Sequence, residues 1–143
     1  TKMSLGFHAH HCNITLHIIK GTLVNWVVHP AEIGFLVDQF VWDSPVRGGE
    51  GRFILYDRGV TLDTAYVKYL TPEDPAELMP AYFMNTVSCT GECAWLVYEG
   101  KEDPDYHPFT WSNADLSALD MTGLYQKPQV QDVIDILKAS GLL

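Results

Sequence analysis

Hydrophobic residues fall in short, dense runs broken by glycine, proline and polar clusters, and this pattern predicts a β-rich chain. Residues 14–28, ITLHIIKGTLVNWVV, are dense in β-branched and aromatic side chains and are interrupted only by Lys20-Gly21, so they form two strands or one bent strand. After His29-Pro30 a second run over 33–42, IGFLVDQFVW, makes another strand and closes at Ser44-Pro45. Residues 46–51, VRGGEG, are a loop whose glycines are free to take positive φ. Residues 53–56 and 60–70 flank Asp57-Arg58-Gly59, the pattern of a hairpin turn, and partial alternation after Val60 marks a half-buried antiparallel strand. Pro72, Pro75 and Pro80 turn residues 71–80 into a loop. Two further strands, over 81–88 and 94–98, are joined by Cys89-Thr90-Gly91-Glu92-Cys93.

Beyond residue 99 the pattern weakens into an acidic loop, with a short helix expected after Ser112-Asn113 as its cap. The C-terminus is clearer. Pro128 suits a first helical position, Val130, Val133, Ile134 and Leu137 share one helical face, Lys138 lies in the last turn and Gly141 follows as terminator. An amphipathic helix over about 128–140 follows from that spacing. Many short strands and one late helix, without strand and helix alternating, predict a mainly β fold: an antiparallel β-barrel or jelly-roll-like sandwich with a C-terminal α-helix, in a single domain spanning 1–143.

Charge and composition narrow the partners. The net charge is -9 and the nine Lys and Arg residues are scattered, so no basic stripe exists to neutralise phosphates and nucleic acid is not an expected partner. No run approaches the ~18 apolar residues of a membrane helix, and the acidity disfavours an anionic membrane surface. Three cysteines, Cys12, Cys89 and Cys93, do not make a disulfide framework and are read as reduced thiols of a cytoplasmic protein. Asn13-Ile14-Thr15 has the form of a glycosylation acceptor, which leaves secretion open.

Chemistry concentrates in residues 7–24, FHAHHCNITLHIIKGTLV, which hold four of the six histidines. His8 and His10 are two apart, so on a strand they project to one face about 7 Å apart along the backbone, within reach of one metal ion. His11 points the other way. If the strand restarts near Thr15, His17 returns toward the cavity of the first pair. His8-x-His10, Thr15 and the apolar strand 16–23 with Gly21 resemble the first motif of the cupin superfamily. The resemblance implies a β-barrel enzyme, with His8 and His10 as metal ligands and one divalent transition metal (Fe, Zn, Ni or Mn) as cofactor; Thr15 stands where the family has glutamate, so either His17 takes over as the third ligand or the metal site is incomplete. The resemblance also implies a dioxygenase, isomerase or decarboxylase acting on a small molecule. The family's second motif has no counterpart: His29 comes too early and His107 very late.

Outside that stretch, Cys89 and Cys93 suit a weak zinc pair, a small disulfide loop or two plain thiols flanking a turn, the last being the simplest. His107, among Asp103, Asp105 and Tyr106, is a candidate acid or base at a barrel mouth, and His17 is the other candidate catalytic residue. Trp26, Trp42, Tyr56, Tyr66, Trp95 and Trp111 suit either an apolar pocket or plain core. The expectation is therefore a small-molecule enzyme with a histidine-lined cavity. A non-catalytic barrel binding an apolar ligand or a protein partner, and a metal-independent cyclase or isomerase, are the alternatives. A homodimer stays open.

Overall fold

The computed structural model describes residues 6–121 and 129–143. Its strands are β1 (Phe7–Ala9), β2 (Ile14–Asp43), β3 (Arg52–Leu70), β4 (Ala76–Met79), β5 (Met84–Glu99) and β6 (Phe109–Ser112), followed by helix α1 (Val130–Ala139). The protein is mainly antiparallel β with one short C-terminal helix, as the patterning predicts. No helix among the described residues is long and apolar enough to cross a membrane.

The organising element is β2, thirty residues long. The expected breaks within it are bends. Against β3, the ladder jumps from Pro30 to Phe35 while both face Leu62, so residues 31–34 bulge out. Gly34 permits this, because a Cβ there would lie 2.0 Å from the Leu62 carbonyl oxygen. Near Lys20 the β2–β5 ladder also shifts, and Gly21, at φ 80, packs its backbone against the Glu92 carbonyl. Proline and glycine here bend a strand instead of ending it.

The expected hairpin turn at Asp57-Arg58-Gly59 is absent, since β3 runs straight through it. Asp38 of β2 caps this stretch by accepting from the Gly59 N–H at 3.1 Å, opposite a register shift between Val37 and Gln39. The chain reverses instead through Pro45–Arg47 and the glycines after it, a turn that begins one residue before the predicted 46–51 loop. Strands β4 and β6 both form where loops are expected. β4 adds to the start of β2 through Ile14↔Met79 and Leu16↔Glu77.

Pairing follows a path that leaves β2 and comes back to it. The first half of β2 pairs with β5, β5 with β1, β1 with β6, and β6 with the second half of β2 through Phe40↔Thr110. Among the described residues three apolar clusters form the core: one around Ile14, Leu16, Leu23 and Met79, one around Phe7, Val28, Leu62 and Trp111, and one around Phe40, Phe53 and Leu116.

The short helical turn expected after Ser112-Asn113 is Leu116–Ala118, but its cap is Asp115, whose carboxylate accepts from the Ser117 N–H. In α1, Gln129 and Asp132 form a reciprocal capping box. Pro128, expected at the first helical position, lies outside the described residues. Helix α1 buries no residue fully; Ile136 and Leu137 border a shallow groove with Ile19, Trp95 and Leu96.

Candidate functional site

Strand β1 is three residues long, and its alternation sets the site. Phe7 and Ala9 are buried in the core, so His8 projects to the opposite face. His8 lies directly across from Asn85 on β5 and from Thr110 on β6, and directly paired residues share a face of the sheet. His10 joins His8 there: the ring centroids are 4.8 Å apart at an interplanar angle of 79°. The shared face expected from the His-x-His spacing is present.

The pair opens into a cavity of about 340 Å³ whose other walls include His11, Trp42, Phe53 and Phe109. That size falls in the range of small-molecule sites, and aromatic walls with a few polar groups are typical of them. His11 also leans outward, pairing with Glu102 at 3.2 Å.

Burial lowers the pKa of both imidazoles. His10 drops to about 4, first through desolvation, then through the neighbouring His8 and His11, with Asn85 pulling weakly the other way. His8 is lowered by desolvation, against a backbone hydrogen bond at Gly6. Both rings are therefore neutral at physiological pH, and they meet a ligand as hydrogen-bonding groups and not as cations.

Behind the pair runs a polar chain that the sequence hid, part-buried at Tyr66 and buried from Glu77 to Asn85. Tyr66 donates its hydroxyl to Glu77 Oε1 at 2.9 Å. Asn25 donates its amide to Glu77 Oε2 at 2.9 Å, and Asn85 donates its amide to Asn25 Oδ1 at 2.8 Å. Asn25 is 0 % and Asn85 1 % exposed, so each amide must find partners inside the protein. Burial, with the hydrogen bond to Glu77 and its charge, pushes the Tyr66 hydroxyl up to about 12. Asn85 Oδ1, also buried, has no hydrogen-bond partner among the described residues, and Asn85 faces His8 across the β1–β5 ladder. The signal in the sequence was faint: Asn25 is a lone polar residue on the buried phase of an apolar strand, and Glu77 sits among prolines.

The other expected site residues lie elsewhere. His17 pairs with Ala76 of β4 and Leu96 of β5, between the buried Leu16 and Ile18, and so projects to the opposite, more exposed face. On β5, Leu96 is eleven residues past Asn85, the partner of His8. At ~3.3 Å per residue that is on the order of 30 Å of strand. The structure does not bring His17 to His8 and His10. Thr15, two residues earlier, shares the face of His17. His107 is exposed, next to Pro108 and Phe109 of the cavity wall.

A transition metal in a cupin-like site needs at least three convergent donors, and among the described residues no three His, Cys, Asp or Glu converge on one point. The histidine pair supplies two. Cys89 and Cys93 are joined as a disulfide across the bulge opposite Gly21, with Cα atoms 5.9 Å apart, in place of the two plain thiols expected; Cys12 is buried and free.

Comparison of the chain with protein-family models, with curated proteins and with solved structures returned no match.

Proposed function

We propose that this chain is a barrel-like small-molecule-binding protein whose ligand site is the His8 and His10 cavity. One observation carries the reading: two neutral imidazoles, His8 on β1 and His10 just past its end, lie together on a cavity walled by Trp42, Phe53 and Phe109. The aromatic walls suit an apolar or aromatic body, and the imidazoles suit one hydroxyl or amide hydrogen on it. A fixed anion on the ligand is disfavoured, because neither ring carries the charge to hold it. The same depressed basicity makes His10 a weak proton acceptor in catalysis, which favours binding over acid-base turnover.

Phenol against anisole tests the reading. Both fit the aromatic walls, but only phenol has a hydrogen to donate. One hydrogen bond is worth roughly 1 kcal/mol, about fivefold in affinity. Phenol is expected to bind about fivefold more tightly, with resonances of His8, His10 and Trp42 shifting. The preference disappears in His8→Ala combined with His10→Ala. Equal binding of both probes in the unaltered protein overturns the proposal.

A second reading keeps the enzyme. Two adjacent imidazoles on one face form half of a metal site, to be completed by a substrate or water, and a small-molecule dioxygenase, isomerase or decarboxylase is the chemistry such a centre supports. Stoichiometric Fe, Zn, Ni or Mn in purified protein, lost in the same double variant, supports it; less than about a tenth of an equivalent counts against it.

A further inference from the structure

The polar chain from Tyr66 to Asn85 has a direction, and the direction reaches the ligand cavity. A carboxylate can only accept hydrogen bonds. Glu77 therefore forces Asn25 to turn its NH2 group toward Oε2, at 2.9 Å. Asn25 is then left with its carbonyl facing Asn85, and Asn85 must in turn present its own NH2, at 2.8 Å. Both amides are fixed by their partners, with no freedom to flip. What remains is Asn85 Oδ1, a buried acceptor without a hydrogen-bond partner; Asn85 is the ladder partner of His8, whose ring centroid lies 4.8 Å from that of His10. The lowest-energy way to satisfy it is an N–H from the His10 ring, since a buried carbonyl left unpaired loses its hydration without replacement.

We propose that Glu77, acting through Asn25 and Asn85, fixes the tautomer of His10, with the ring N–H turned inward to Asn85 and the unprotonated nitrogen turned to the cavity. Glu77, Asn25 and Asn85 are positioning residues in this scheme. None of them touches the ligand. A neutral His10 with a fixed outward lone pair accepts a hydrogen bond and offers none, so the cavity selects donors, hydroxyls and amides, over ethers and ketones. The selection rests on the ligand reading above; the tautomer does not.

The test is a nitrogen-15 spectrum of the His10 ring near neutral pH. In the unaltered protein the two ring nitrogens are expected well separated in shift, as for a single tautomer, with the proton on the nitrogen nearer Asn85. In Glu77→Gln the new carboxamide can donate as well as accept, so Asn25 and Asn85 are free to invert and the two shifts converge. Asn85→Leu removes the acceptor while leaving Asn25 on Glu77, and the same convergence is expected if Glu77→Gln does not fold. Tyr66→Phe deletes only the far end of the chain and leaves the tautomer unchanged, which separates direction from general loosening.

A mixed or outward-protonated His10 in the unaltered protein overturns the inference. So does a folded Glu77→Gln or Asn85→Leu protein that keeps the original tautomer. A fixed tautomer without any preference for phenol sinks the ligand reading alone, and a mixed tautomer with the preference intact sinks the inference alone.

Discussion

His8 stands directly across from Asn85 in the β1–β5 ladder, and that single pairing places the histidine pair at the end of the buried amide chain and far from His17. The first consequence concerns the ligand set implied by the cupin-like motif. His17→Ala is expected to leave phenol affinity and any metal content unchanged within about twofold, because an altered side chain beyond ~10 Å without shared partners acts independently. His10→Ala is expected to lower phenol affinity about fivefold and to remove any metal. Titration calorimetry and elemental analysis of the two variants check this, and parallel losses in His17→Ala sink the separation of the two histidine positions.

Glu77 is the stability hinge of the polar chain. It is 9 % exposed and receives both the Tyr66 hydroxyl and the Asn25 amide. Glu77→Leu keeps approximate volume but strands the buried Asn25 amide, at about 1–3 kcal/mol, and the part-buried Tyr66 hydroxyl, at about 1 kcal/mol because solvent reaches it. A loss of roughly 2–4 kcal/mol in urea unfolding is expected, with the slope unchanged. Adding Tyr66→Phe to Glu77→Leu is expected to recover about 1 kcal/mol, since one stranded donor disappears. No recovery counts against the hydrogen-bond account.

What the sequence made legible follows from what is local. The His-x-His face needs only a strand period of two, and α1 needs only the spacing of Val130, Val133, Ile134 and Leu137. Class was legible because β-branched runs dominate. Continuity was not: His29-Pro30 reads as a break, yet the chain bulges past Leu62 and goes on pairing with the same partner strand. β6 is four residues with no pattern of its own, held because β1 and β2 offer edges on both sides. The Cys89 and Cys93 bridge depended on a bulge opposite Gly21, a long-range fact. Asn25, Glu77 and Asn85 come from three separate strands, and no spacing in the chain announces their meeting.

Gly34 gives the bend in β2 a sharp steric test. A Cβ there would stand 2.0 Å from the Leu62 carbonyl oxygen, backbone against backbone, with no flexible side chain to yield. Gly34→Ala is expected to destabilise the protein by more than about 2 kcal/mol through a forced shift of β2 against β3. Gly59→Ala meets only Leu36 at 4.0 Å and pays for its φ of 68 alone, about 1 kcal/mol. Denaturant midpoints rank the two; an equal or smaller effect at Gly34 removes the close approach as the reason for glycine.

Acid should weaken the fold through the histidine pair before the carboxylates titrate. The folded pKa of His10 is about 4 and its ordinary value is 6.5; His8 is lowered as well. Below pH 6.5 the unfolded chain takes up protons that the folded protein refuses, so stability rises with pH across this window and is lost as pH falls toward 4. Full burial would make the His10 contribution about 3 kcal/mol, and the partial exposure of the ring reduces it to about 1–2 kcal/mol. Urea midpoints measured from pH 7 down to pH 4.5 are expected to fall, and His10→Gln to flatten the fall by that amount. An unchanged slope in His10→Gln removes the buried neutral imidazole as its source.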